Sequence, residues 1–237
     1  MRIWATRCLF VAMLGIAHAQ PAFADPITVG SFPNATSCIP FGCNAADRFQ
    51  QIYSGSLFGG GFEITGIAFP HTLHSMSELI DPAHYHIRLA TTSQPVGSAS
   101  FDASVGADAT VVFTGPLAGS VEQGGALSFT LPVSFLFNPA HGNLILDVIK
   151  TGGVFFGDDG IYLDFNQQMG GQASSLWSGP GGAGFFPTGG LVTTFSGDEV
   201  MPTPEPGTLL LLGTGLVGGY LARRRRAGQL IDAQDPR

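Results

Sequence analysis

Residues 84–91 read HYHIRLAT. Tyr85, Ile87 and Leu89 alternate with His84, His86 and Arg88. A period of two places the apolar set on one face of an extended chain and the polar set on the other. The stretch predicts a half-buried β-strand with its histidines on the wet side. The same reading extends outward. In GFEITGIAF, residues 61–69, Phe62 and Ile64 face inward, followed by Ile67 and Phe69, with Gly66 as a bulge between the pairs. Further strands are predicted at Phe49–Tyr53, Ala109–Thr114, Leu127–Phe137, Asn143–Ile149, Gly160–Phe165 and Leu191–Phe195. Turns are read at Gly115-Pro116, at Ala140-His141-Gly142-Asn143 and at Gly157-Asp158-Asp159-Gly160. A weak helix pattern covers Ser75–Ile80, and SGPGGAGFFPTGG, residues 178–190, reads as a surface loop. Short alternating strands with Gly- and Pro-rich turns predict an all-β fold. The expected body is a single antiparallel β-sandwich, jelly-roll or lectin-like, over residues 25–200.

Charge narrows the partners. Only 11% of residues are charged, against about 25% in ordinary soluble proteins. Between residues 25 and 203 the basic side chains are Arg48, Arg88 and Lys150, against fourteen acids. Such a surface repels phosphate backbones, so nucleic acid is excluded as a partner. Cys38 and Cys43, in CIPFGC, remain once a leader containing Cys8 is removed. In an oxidising compartment they predict a disulfide.

The two ends carry export signals. Arg2 and Arg7 form a short positive region before the apolar run Cys8–Ala17, and Ala22-Phe23-Ala24 supplies a small-x-small cleavage site. This predicts a signal peptide over residues 1–24, cut after Ala24, with Ala17-His18-Ala19 offering a second site after Ala19. Near the other end stands PEPGTLLLLGTGLVGGYLARRRR, residues 204–226. From 207 to 222 there is no charge; Leu209, Leu210, Leu211, Leu212, Leu216, Val217 and Leu221 are strongly apolar. Together they favour bilayer insertion by about 2–4 kcal/mol. A helix of that length reaches about 24 Å, slightly less than a hydrocarbon core of about 30 Å. Arg223, Arg224, Arg225 and Arg226 close it as a basic stop on the cytoplasmic side. The expected layout is a spacer at 201–206, a transmembrane helix at 207–222 and a basic tail at 223–237.

This order of parts resembles the PEP-CTERM sorting signal of Gram-negative bacteria. The motif residues are Pro204, Glu205 and Pro206, followed by the short helix and the arginines. The resemblance implies recognition by an exosortase, cleavage near the motif, and passage from an inner-membrane precursor to the cell surface or exopolysaccharide matrix. The tail after Arg226, AGQLIDAQDPR, is longer than such signals carry. FGCNAADRFQQIYSG (41–55), GADATVVFTGPL (106–117) and FNPAHGNLILDV (137–148) are similar to ectodomains of PEP-CTERM proteins. Those ectodomains mostly lack an assigned activity.

Candidate chemistry in the body is thin. His84 and His86 share a strand face, and a zinc or copper site would form if His71 or His74 joined them. Asp158, Asp159 and Asp164 are weak calcium candidates without an EF-hand pattern. Glu63, Asp102, Asp108 and Glu122 could pair as in a glycoside hydrolase. There is no G-x-S-x-G elbow and no H-E-x-x-H helix. The sequence therefore predicts no catalytic residues, no required cofactor and a structural or weakly glycan-binding ectodomain. The alternative is a carbohydrate-active enzyme on the same sandwich. Trp177 or Phe185 exposed beside a groove would favour binding.

Overall fold

The computed structural model describes residues 25–102, 104–153, 160–200, 212–217, 219–220 and 223. The body is antiparallel β-structure. A four-stranded sheet runs β1 (Ile27–Val29), β13 (Thr193–Val200), β4 (Gly61–His71), β7 (Gly125–Phe137). A six-stranded sheet runs β11 (Gly182–Phe186), β10 (Ala173–Gly179), β3 (Arg48–Tyr53), β8 (Asn143–Thr151), β5 (Glu78–Thr92), β6 (Thr110–Val121). A small third sheet joins β12 (Gly190–Leu191), β9 (Leu163–Asn166) and β2 (Ala35–Ser37).

The two larger sheets share one core, a sandwich-like arrangement. Phe62, Ile64, Ile67, Phe69, Phe129, Phe137 and Phe195 come from one side. Phe49, Tyr53, Tyr85, Ile87, Leu89, Leu144 and Leu146 come from the other. The alternation in residues 84–91 is kept: Tyr85, Ile87 and Leu89 are buried, while His84 is exposed and His86 and Arg88 are half-exposed. In β4 the register slips between Ile64 and Gly66. Buried positions then change phase, from Phe62 and Ile64 to Ile67 and Phe69. An extra residue does this because side chains alternate faces; without it the second half of the strand would turn its apolar set to water.

The disulfide Cys38–Cys43 is formed, with Cα atoms 5.7 Å apart. Its loop carries Phe41 into the core, fully buried. The ring lies 5.4 Å from Phe69 and 5.4 Å from Tyr85, so one residue touches both sheets. The cross-link thus fastens a core plug rather than a surface turn.

Several expectations are corrected. Ser75–Ile80 is not helical: Glu78–Ile80 open β5. Pro82 could not continue a helix, and the buried Glu78 carboxylate accepts the Tyr162 backbone N–H at 2.5 Å. Gly115 and Pro116 lie inside β6, paired with Tyr85 and His84. That strand is the sheet's edge, where a residue without an N–H is tolerated. Residues 178–190 are largely the hairpin of β10 and β11 rather than a loop. A Cβ at Gly184 would sit 2.4 Å from Nε1 of Trp177, so glycine lets the two strands close over the indole.

Residues 212–217, 219–220 and 223 are helical. Among the described residues no helix is long and apolar enough to cross a membrane. Leu212, Leu216 and Val217 stand exposed and do not enter the body's core. Leu209, Leu210, Leu211, Leu221, Arg224, Arg225 and Arg226 lie outside the described residues, as do residues 1–24 with Ala22 and Ala24, and the motif Pro204-Glu205-Pro206.

Candidate functional site

All three basic residues of the body are committed to internal partners. Lys150 Nζ lies 3.1 Å from Asp81 Oδ2, both side chains fully buried, and 3.0 Å from Asn44 Oδ1. Arg48 bonds Asp147 at 3.1 Å through Nε and Asp102 at 3.0 Å through NH1, and its guanidinium lies 5.0 Å from the Phe101 ring centroid. Burial works against the charge of Arg48, but the bonds and charges of Asp147 and Asp102 outweigh it and raise its pKa. Arg88 also pairs with Asp147. No basic side chain of the body is left to attract an anion. Nearby, burial raises the Tyr85 hydroxyl above its ordinary range, with the charge of Asp81 adding to it. Burial does the same to Tyr53, opposed by its bond to Thr193.

The histidine expectation divides in two. His84 and His86 lie side by side on the outer face of β5, rings 5.0 Å apart, with His86 Nδ1 2.9 Å from Thr114 Oγ1. His71 and His74 instead belong to a separate cluster at the end of β4. His71 is fully buried, with Nδ1 2.9 Å from Tyr162 O and Nε2 2.9 Å from Met76 O. His74 stacks on Tyr162 at 5.1 Å and places Nδ1 2.5 Å from Glu78 Oε1. Its Nε2 lies 3.4 Å from Thr36 Oγ1. Hydroxyl, imidazole and carboxylate also line up in that order in hydrolase triads. Here the imidazole ties a loop to the sheet, and neither cleft described below opens on it. Among the described residues no three His, Cys, Asp or Glu side chains gather as a metal site would need.

The acid candidates scatter as well. Asp164 is buried and its carboxylate accepts from Thr72 N at 2.9 Å, Thr72 Oγ1 at 2.5 Å and Leu73 N at 3.0 Å. It staples the 72–73 turn. Asp158 and Asp159 lie outside the described residues. Glu63 accepts from Ser134 Oγ at 2.7 Å on β4, and Asp108 accepts from Thr91 N at 2.9 Å beyond β5. Asp102 holds Arg48, and Glu122 accepts from Ser77 Oγ. None of these acids lines the cleft at Phe32 or the cleft at Leu136.

Two clefts stand out among the described residues. One, of about 280 Å³, is apolar and lies beside Leu136, Phe137 and Val200, where β13 ends. The other, of about 400 Å³, lies between the 30–34 loop and the 166–172 loop. It is lined by Phe32, Asn34, Asn166, Gln168 and Gln172 over the buried Met169, without any charged side chain. Sequence reading missed it, because its walls come from segments more than a hundred residues apart. Trp177 and Phe185 line neither cleft: Trp177 is half-buried under β11, and Phe185 is 36% exposed on that strand.

A comparison with curated proteins finds no match. A comparison with protein families matches residues 202–226 to the PEP-CTERM protein-sorting motif. That segment takes in Pro204, Glu205 and Pro206, the apolar run and Arg223–Arg226, in the order the signal requires. The chain thus carries the sorting signal of an exported, cell-surface-directed protein that an exosortase processes.

Proposed function

We propose that residues 207–222 hold the chain in the inner membrane as a precursor, and that an exosortase cuts near Pro204–Pro206. The released body, residues 25–200, then works at the surface or in the exopolysaccharide matrix as a non-catalytic structural or weakly glycan-binding domain. Its two larger sheets are read as a jelly-roll or lectin-like sandwich. The observation that carries this reading is the match at residues 202–226, with all parts of the signal in order. The exposure of Leu212, Leu216 and Val217 supports it, because a segment built for a bilayer has no seat in the body's core.

The test is mass spectrometry of the protein from its own host, with and without the exosortase. With the enzyme, the released chain should lack the arginines; without it, the chain should stay full-length in the membrane. A full-length chain in the inner membrane despite an active exosortase would overturn the reading. New reducing ends on host exopolysaccharide incubated with the chain would replace the non-catalytic part by a glycoside hydrolase.

A further inference from the structure

We propose that the cleft between the 30–34 and 166–172 loops is a binding site for a neutral saccharide, with Phe32 as its stacking platform. Phe32 is 87% exposed and adopts φ 99°. A left-handed backbone is strained for a bulky residue, and such strain persists only where the surroundings impose it. Here they do. Asn166 Nδ2 donates to Phe32 O at 3.1 Å, and Asn166 Oδ1 accepts from Gln168 N at 2.8 Å. Asn34 Oδ1 accepts from Gln167 N at 2.9 Å, tying the first loop to the second. Below them Gly30, at φ 82°, packs on Met169; a Cβ there would lie 2.3 Å from the methionine methyl. The loops are therefore fixed before any ligand arrives, and the ring is held out of the core.

The polar capacity left over is amide. Asn166 spends its side chain on the loops, whereas the side chains of Gln168 and Gln172 have no hydrogen-bond partner among the described residues. Each offers a donor pair and an acceptor, the complement of adjacent sugar hydroxyls. The exposed ring offers a flat apolar surface for the C–H face of a pyranose. The volume of about 400 Å³ suits a mono- or disaccharide unit. Charge decides against anionic sugars and phosphates. No cation lines the cleft, and Arg48, Arg88 and Lys150 are bound to acids elsewhere.

This deepens the reading of the body as a glycan-contacting domain, and rests on that reading only for where the ligand would be met. The experiment is affinity gel electrophoresis of the full-length chain in mild detergent, in gels containing dextran, laminarin or galactomannan, with alginate as the anionic counterpart. At least one neutral polysaccharide should retard the chain. Phe32→Gly should weaken that retardation at least about tenfold while leaving the thermal midpoint unchanged or higher, because glycine accepts the left-handed backbone. Gln172→Ala should weaken it as well. Absence of retardation by all three neutral glycans, equal retardation by alginate, or undiminished binding by Phe32→Gly would each overturn the proposal. A chain that binds in the gel yet is not released in its host would instead count against the sorting reading alone.

Discussion

Lys150 Nζ and Asp81 Oδ2 lie 3.1 Å apart with both side chains wholly removed from water. Each charge is tolerable only because the other is there. Lys150→Met alone should cost about 3–5 kcal/mol, since it strands a buried carboxylate. Lys150→Met with Asp81→Asn should recover a good part of that. Chemical denaturation of the four combinations measures both the loss and the coupling.

Phe41 is the second sensitive point. Its ring fills the space between Phe69 and Tyr85, and Phe41→Ala should destabilise by about 3–5 kcal/mol. Opening the loop that presents it, by Cys38→Ser with Cys43→Ser, should cost only about 2 kcal/mol at most, the value for closing so short a loop. Equal losses from the two changes would mean that the cross-link alone positions the plug.

Alkaline pH should undo the core through its tyrosines. Tyr85 and Tyr53 have folded-state pKa values raised above the ordinary 10.0, chiefly by burial. Their neutral forms are favoured in the fold, so their contribution is complete below about pH 10 and is lost as pH rises beyond it. Stability should fall by about 1.4 kcal/mol per pH unit for each such hydroxyl. Tyr85→Phe should reduce that slope between pH 10 and 12 by one proton's worth, measured by urea unfolding at each pH.

Gly184 is a steric prediction. Gly184→Val places carbon against the Trp177 indole and should cost about 1–3 kcal/mol, with loosening confined to β10 and β11. Hydrogen exchange along that hairpin, compared with β8, distinguishes a local opening from a global one.

The sorting segment makes its own prediction. Glu205→Ala, or replacement of Arg223–Arg226 by serine, should abolish release and leave the body's thermal midpoint unchanged, because Leu212, Leu216 and Val217 do not enter its core. Immunoblots of membrane and medium fractions report the first, and scanning calorimetry of the purified variants the second.

What could be read in advance was whatever is local. Tyr85, Ile87 and Leu89 announce their face by alternation, and the phase change around Gly66 shows in the spacing of Ile64 and Ile67. The sorting signal is contiguous, so order alone identifies it. Features made by distant segments stayed hidden. Nothing in SGPGGAGFFPTGG tells that Trp177 lies across Gly184, so its glycines read as a loop. The helical look of Ser75–Ile80 yields to a carboxylate held by Tyr162, far along the chain. The cleft at Phe32 needs residues near 34 and near 168 in one place, and a bulky residue with a left-handed backbone carries no mark in its neighbours.

The last strand of the body ends at Val200, and the sorting match begins at residue 202. Stretched to the full, residues 201–206 reach about 20 Å. On the proposed reading, with an exosortase cutting near Pro204–Pro206, the bond to be cut is tethered within about that distance of the end of β13, which leaves a peptidase little depth to work in.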